Sequence, residues 1–516
     1  MMLSWTFYFY PLRLILHFSF FCTNFIFDNQ NPKIMKKLLF CLLVLIFFIR
    51  CHQPSQNEEN NQPLKPNILL ILADDQRFNT IHALGNDEII TPNLDQLAAM
   101  GTSFNNAYIM GGNSGAVCMP SRAMLLTGRH LFDIEGQGRE IPKGHMLLGE
   151  HLQANGYATF GTGKWHNGKA AFARSFNHGA EIFFGGMSDH WNVPLFHYDS
   201  TGEYEPAIPY IADPFRSKEV DYHNADHFLH GEHSTDIFSG AVFEFIKSRK
   251  RDLPFFAYLS LTAPHDPRSL PEKYLQMYDT ANISLPANFL PEHPFDNGEL
   301  KIRDEKLAAF PRTASEVKLH IRDYFAMITH LDEQIGNIIS LLEEQNQLQN
   351  TIIVFTGDNG LAVGQHGLMG KQNLYEHSIK VPLLMAGPGI PKAESRNQMV
   401  YLWDIFPTLS DLTGQEIPAS VQGKSFAPAF SEDNYVPRSE MLFAYRHLQR
   451  AARKGDFKLI EYQVDGNRTT QLFNLNKDPW EMNNLYQDPA HIEKVEELRT
   501  VLKQQQKLLG DTIQML

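Results

Sequence analysis

The chain has 516 residues, 43% of them hydrophobic and 20% charged, with 45 Lys/Arg against 58 Asp/Glu and a formal net charge of −13. That acidic balance argues against nucleic acid or an anionic membrane surface as a partner, and the length is enough for one large domain and a smaller one. A small anionic substrate would need local cations or a metal to hold it against the general field.

Residues 1–51 read as a leader. From Met35 the sequence MKKLLFCLLVLIFFIRC places two lysines before an apolar run of about a dozen residues, the length of a secretory h-region and short for a membrane span. The run stops at Cys51, and the polar stretch HQPSQNEENNQP that follows reads as part of a tether over 52–65. This order predicts export to the periplasm or outer surface, with a lipid anchor through Cys51 as the new N-terminus. Arg50 stands where lipoprotein sites prefer a small residue, and an uncleaved N-terminal anchor is the alternative. Residues 1–34 serve neither reading, which predicts Met35 as the true start. Cysteines fall at 22, 41, 51 and 118, so Cys118 is the one thiol beyond the leader. A lone exported cysteine is either buried and inert or chemically used.

Past residue 65, short apolar runs alternate with helical patterns, the sign of an α/β fold with a largely parallel sheet. NILLIL (67–72) is followed by Ala73, Asp74 and Asp75. YATFG (157–161) leads to Lys164, Trp165 and His166, and FFAYLSL (255–261) leads to His265 between two prolines. TIIVFT (351–356) leads to Asp358 and Asn359, whereas VPLLMA (381–386) ends in Gly-Pro-Gly with no polar cargo. In an open α/β sheet, sites form at the carboxyl ends of the strands, so four runs ending in such side chains predict one shared site. Asp74, Asp75, Asp358 and Asn359 are hard oxygen donors suited to Ca²⁺ or Mg²⁺. For Asp75 a helix cap is the competing reading, because Gln-Arg follows it.

Between the first two runs lies GGNSGAVCMPSRAMLLTGRH (111–130). Pro120 suits a first helical turn, SRAMLLT continues the helix, and Gly128 stops it. Cys118 is thereby placed at a helix N-terminus, where backbone N–H groups favour negative charge, with Arg122 one turn on to reach back. Gly111, Gly112 and Gly115 permit close approach of this loop. These residues by themselves predict an anion site with a reactive thiol.

The bland reading is preferred for several neighbours. His366 and His377 are expected to order a loop, Trp165 to pack, and the His-rich stretch 197–236 to form a surface loop, since its spacing fits no clean zinc motif. VYLWDIFPTLSDLTG (400–414) reads as a helix closing the large domain. EMLFAYR, RAARKGDFKLIEY and TTQLFNLN are spaced like an antiparallel meander, followed by a polar helix from about 490.

CMPSRAMLLTGR (118–129) resembles the type I sulfatase signature, Cys-x-Pro-Ser-Arg-x-x-Leu-Leu-Thr-Gly-Arg, at every specified position. NILLILADDQ, TPNLDQLAAMG, GKWHNG, APHDP, FTGDNG, GKQNLYE and WDIFPTL follow in family order, so the resemblance covers most of 66–500. It implies the alkaline-phosphatase-like α/β fold: a large mixed, mostly parallel sheet flanked by helices over 66–420, and a smaller C-terminal α+β domain over 421–516 with an antiparallel sheet. It implies that Cys118 is oxidised by a formylglycine-generating maturation enzyme, the hydrated aldehyde being the nucleophile. The metal set matches Asp74, Asp75, Asp358 and Asn359, with residue 118 contributing, and calcium is usual. Arg122 and Lys164 match the residues that polarise the hydrate, and His166 the one that helps release the covalent intermediate. His265 and Lys371 match the sulfate-facing pair, His265 as proton donor to the leaving alcohol. Arg77, His190, Tyr445, Arg446 and Arg450 are further candidates to face substrate. The reading that leads is hydrolysis of sulfate esters of a sulfated carbohydrate. A phosphonate or phosphate ester hydrolase on the same scaffold is the alternative, and a non-catalytic glycan binder a third if Cys118 is unmodified.

Overall fold

A computed structural model describes residues 65–515 apart from 187, 212 and 214, together with Lys36. The leader, the Cys51 anchor and nearly all of the tether lie outside these residues. Among the described residues no helix is long and apolar enough to cross a membrane.

The strands in chain order are β1 (Asn67–Ala73), β2 (Gly101–Tyr108), β3 (Gly111–Gly112), β4 (Ala158–Lys164), β5 (His178–Phe183), β6 (Ile208–Tyr210) and β7 (Asp221–His223). They continue with β8 (Phe255–Ser260), β9 (Thr351–Gly357), β10 (Leu383–Ala386) and β11 (Glu394–Tyr401). The last four are β12 (Glu440–Tyr445), β13 (Gln449–Lys454), β14 (Phe457–Val464) and β15 (Asn467–Asn474).

Eight of them form one sheet in the order β11-β2-β10-β9-β1-β8-β4-β5. Neighbours pair parallel except at β10, which runs antiparallel to both β9 and β2. The polarity explains the sequence pattern. The runs that carry Asp74/Asp75, Lys164, His265 and Asp358/Asn359 end at one rim, whereas β10 ends at the opposite one, and it is the run with no polar cargo.

β1 sits in the middle, buried throughout and apolar apart from Asn67 at its start. Its side chains alternate between two cores: Ile68, Leu70 and Leu72 on one face, Leu69, Ile71 and Ala73 on the other. Burying each large aliphatic side chain contributes roughly 2 kcal/mol, so a strand this apolar can carry two carboxylates at its end. The second face is covered by the helices Ser234–Ser248 and Ala314–Glu344. The first is covered by the helix Cys118–Thr127, wholly buried, and by β12–β15.

The C-terminal strands form the expected meander, β12 to β15 pairing antiparallel in succession, followed by the helix Ile492–Leu509. This second sheet takes one more strand from far upstream: β3 pairs parallel with β12, Gly111 beside Ala444. The predicted helix over 400–414 is shorter. Val400 and Tyr401 end β11, and the helix proper is Ile405–Leu412. Asp404 sets the break, its carboxylate accepting from the Tyr401 N–H at 2.8 Å and the Lys424 N–H at 2.8 Å.

Candidate active site

The helix around Cys118 forms as its residues dictate. It runs Cys118–Thr127, with Pro120 in the first turn, and stops at Gly128, whose left-handed backbone lets its N–H reach Met124 O. Cys118 is its first residue and is buried. The thiol Sγ lies 3.5 Å from His166 Nδ1 and 3.7 Å from Lys164 Nζ.

Arg122 donates from Nε to Asp358 Oδ2 at 2.8 Å and from Nη1 to the Lys164 carbonyl at 2.8 Å, while its Nη2, without a hydrogen-bond partner, lies 3.8 Å from Asp74 Oδ1. The same Nη1 bonds Ser260, whose hydroxyl in turn donates to the Lys164 carbonyl. One fully buried arginine thus ties the ends of β4, β8 and β9 to the nucleophile helix.

Asp75 is not a helix cap, for no helix follows it. Its backbone is left-handed (φ 67°), as is that of His166 (φ 73°), conformations held at a cost where function requires them. Tyr324, on the helix Ala314–Glu344, donates to the Asp75 carbonyl and accepts the Arg77 N–H at 3.0 Å, fixing that turn. The Asp75 carboxylate accepts from Lys371 Nζ at 2.5 Å and from Asn359 Nδ2 at 2.8 Å, and His265 Nε2 lies 3.6 Å from its other oxygen. Lys164 Nζ is ion-paired with Asp74. Hence Asp74, Asp75, Cys118, Arg122, Lys164, His166, His265, Asp358, Asn359 and Lys371 all gather at one end of the sheet.

The donor set fits a hard cation. Asp74 Oδ1, Asp75 Oδ2 and Asn359 Oδ1 are buried and have no hydrogen-bond partner. Ligand atoms of Asp74, Cys118 and Asp358 lie within 4.8 Å of one another, as do those of Asp74, Asp75 and His265. Burial, with the Asp74 carboxylate next, pushes Asp358 up to about 7. Asp74 itself, against burial, is held well below the usual range by Lys164, His265 and Arg122. A divalent ion would answer the charge of carboxylates this close and this dry.

The other groups divide by charge. Burial raises the Cys118 thiol above its usual range despite Lys164 and Lys371. Burial, then Lys164 and Arg122, holds His166 well below its ordinary value, leaving a neutral imidazole. Burial also lowers His265 to about 4, Asp75 opposing. Lys164 and Lys371 stay cationic: burial is outweighed for Lys164 chiefly by Asp74 and for Lys371 chiefly by Asp75.

Of the further candidates, three are used up in the fold. Arg77 is buried and donates to Ala362 O at 3.0 Å, Arg450 is paired with Asp511 at 2.6 Å, and Tyr445 is buried on Glu299 at 2.8 Å. His190 supports His265, its Nε2 lying 2.9 Å from the His265 carbonyl. Arg446 is part-exposed and paired with Glu299 at 2.6 Å. His366 and Trp165 pack as expected: His366 stacks on Tyr375, and Trp165 is enclosed by Phe172, Phe176 and Tyr258. The His-rich stretch includes an exposed β6–β7 hairpin, but its His233 is buried and caps the helix Ser234–Ser248, Nδ1 accepting from Thr235 N at 3.2 Å.

The sequence reading missed Ser260, Tyr324 and Glu305. Glu305 accepts from the N–H groups of Met369 and Gly370 at 2.9 and 2.8 Å, holding the loop that presents Lys371. None carries a local motif.

A family profile described as Sulfatase matches residues 66–415, and one described as N-sulphoglucosamine sulphohydrolase, C-terminal, matches residues 364–508. An N-acetylglucosamine-6-O-sulfatase of Bacteroides thetaiotaomicron is 26% identical, over 96% of this chain and 94% of that protein. The fold is shared with a protein solved in complex with its substrate D-glucosamine-2-N,6-O-disulfate (TM-score 0.69, 24% identity, 87% of this chain and 99% of that one). It is shared too with a phosphonate monoester hydrolase of Agrobacterium radiobacter (TM-score 0.61, 20% identity, 85% of this chain and 96% of that one). The chain belongs to the sulfatase family of the alkaline-phosphatase-like superfamily and is a sulfuric ester hydrolase.

Proposed function

We propose that the enzyme hydrolyses sulfate esters of a sulfated carbohydrate, using formylglycine made from Cys118 and one hard divalent cation, Ca²⁺ or Mg²⁺. The observation that carries the cation is the trio of buried, unpartnered oxygens on Asp74, Asp75 and Asn359. Support for the sugar is the N-acetylglucosamine-6-O-sulfatase to which the chain is similar over nearly its full length. Support for the modification is the signature around a thiol that burial keeps protonated and so a poor nucleophile as it stands.

Asp74, Asp75, Asp358 and Asn359 would hold the cation, with residue 118 beside them. The hydrated aldehyde would supply the attacking hydroxyl, and the cation would neutralise charge on the sulfate oxygens. Lys164 and Lys371, buried cations on either side, add fixed positive charge for the same oxygens. His265 has Nδ1–H committed to the Asp266 carbonyl at 2.7 Å, which leaves Nε2 facing the site. An anionic ester bound there favours the protonated ring, and the proton on Nε2 goes to the leaving sugar oxygen. His166, neutral and 3.5 Å from the side chain at 118, is placed to take a proton from it.

We place this activity outside the cytoplasm, with the chain tethered through Cys51 and residue 118 matured by a formylglycine-generating enzyme before folding. The deciding experiment is intact peptide mass spectrometry of active enzyme with a sulfate-release screen on defined sulfated saccharides. The expected result is an aldehyde at 118 and release from sulfated sugars. Full activity with an unmodified thiol, or faster turnover of a phosphonate monoester, would overturn the reading.

A further inference from the structure

On the far side of the 358–380 segment from the catalytic groups lies a cavity of ≈ 680 Å³. That segment has two faces: Asn359 and Lys371 serve the catalytic site, whereas Glu376, His377 and Lys380 line the cavity. None of the residues lining the cavity lines the small catalytic pocket around Asp74, Lys164 and His265. The volume is in the range of small-ligand sites.

Its polar groups are unevenly satisfied. Arg453 and Glu376 are committed to the fold: Arg453 and Tyr108 bond each other, Tyr108 donates to Glu376 at 2.6 Å, and Lys458 pairs with Glu376 at 2.8 Å. Lys380 is different. Its ammonium sits over the Phe78 ring at 4.1 Å and makes no ion pair among the described residues. Beside it His377 is 6% exposed, and neither of its ring nitrogens has a partner. A largely enclosed cation and a buried imidazole with both nitrogens free are costly unless something answers them. Trp480 lines the wall, and Asn105 and Asn397, bonded to each other at 2.9 Å, add amide groups.

We infer that this cavity is a second, non-catalytic binding site for an anionic saccharide unit. Lys380 takes the carboxylate or sulfate, the Asn105–Asn397 pair takes hydroxyls, and Trp480 gives a flat apolar wall for a sugar ring. The inference deepens the proposed carbohydrate function, since a remote unit of a charged chain held here would keep the substrate on the enzyme between turnovers. An ammonium with no ion pair of its own, its neighbour Glu376 being already bonded to Lys458 and Tyr108, favours a small acidic sugar over a neutral one.

The test uses the mature enzyme and three probes: glucuronic acid, glucosamine 6-sulfate and neutral N-acetylglucosamine, titrated by calorimetry. Lys380→Met keeps the aliphatic stem over Phe78 while removing the charge, and Trp480→Ala removes the wall. The expected result is that at least one acidic probe binds, the neutral one does not, and each variant weakens that binding about tenfold or more. Binding should also weaken with added salt. Both variants should keep the wild-type melting temperature and wild-type kcat/KM on a small aryl sulfate, which separates this site from catalysis. The two acidic probes distinguish a carboxylate from a sulfate as the recognised group. Wild type that binds neither acid, or Lys380→Met that binds both as wild type does, would overturn the inference. Failure to hydrolyse any sulfate ester would instead count against the proposed function.

Discussion

At the scale of single residues, the site separates charge that is fixed from protons that move. Lys164 and Lys371 are held cationic by Asp74 and Asp75, whereas His166 and His265 are held neutral by burial. The neutral histidines are therefore the proton carriers. His265→Ala should lose roughly 10²–10⁴-fold in kcat/KM on a sulfated sugar, the usual worth of a general acid. It should lose far less on a nitrophenyl sulfate, whose leaving group is stable as an anion. Equal losses on both substrates would make His265 a sulfate-binding residue only. Asp358 is held by the Arg122 Nε bond at 2.8 Å. Asp358→Ala should abolish activity and bound calcium together, read by elemental analysis of the purified protein. Stoichiometric zinc in active enzyme, with neither calcium nor magnesium, would contradict the proposed ligand set.

At the scale of elements, the nucleophile segment is held from two sides. The helix Cys118–Thr127 packs in the core of the large sheet, while β3 just ahead of it is a strand of the C-terminal sheet. Gly111 makes this junction possible: its φ is +106°, and a Cβ there would stand 2.1 Å from the Ala444 carbonyl oxygen. Gly111→Ala should therefore cost at least about 2 kcal/mol, through both the clash and the left-handed backbone. Because the strain falls a few residues before the nucleophile, aryl sulfate turnover should drop along with the melting temperature. An unchanged melting temperature would mean that β3 and β12 part without consequence. The helix Ala314–Glu344 is an element the sequence reading passed over although its signal is present. Val317, Ile321, Tyr324, Ile328, Leu331 and Ile335 recur at helical spacing, and all are buried.

Over the whole molecule, the buried titratable groups set how stability depends on pH. Burial lowers His190 and His293 to about 4, His366 to about 3 and His233 to about 2. Their folded values lie below the unfolded 6.5, so the stability they allow is complete above that pH and is lost progressively as pH falls from there towards the folded values. Two buried acids act the other way, Asp332 raised to about 6 and Glu481 to about 7, both chiefly by burial. These gain stability as pH falls, because they bind protons in the fold that the unfolded chain still lacks. The lowered histidines outnumber the raised acids, so the balance favours the unfolded chain as pH falls below 6.5. The melting temperature should fall steeply from pH 6.5 to 5 in calorimetry, and a flat profile over that range would show that the histidines are not held neutral.

Much of the site was legible before folding, because its parts are local. A strand of apolar residues followed by Asp-Asp, Lys-Trp-His or Asp-Asn states its own cargo, and Pro120 and Gly128 state where the nucleophile helix begins and stops. These follow from short-range rules of periodicity, capping and turn chemistry. What joins the parts was not legible. Arg122 bonds Asp358 and the Lys164 carbonyl because these converge beside it only in the fold. Tyr324 reaches Asp75, Glu305 reaches the Lys371 loop, and β3 reaches β12 across long stretches of chain. Such contacts have no sequence period. They depend on strand order and register, which tertiary packing sets by burying both faces of the sheet together.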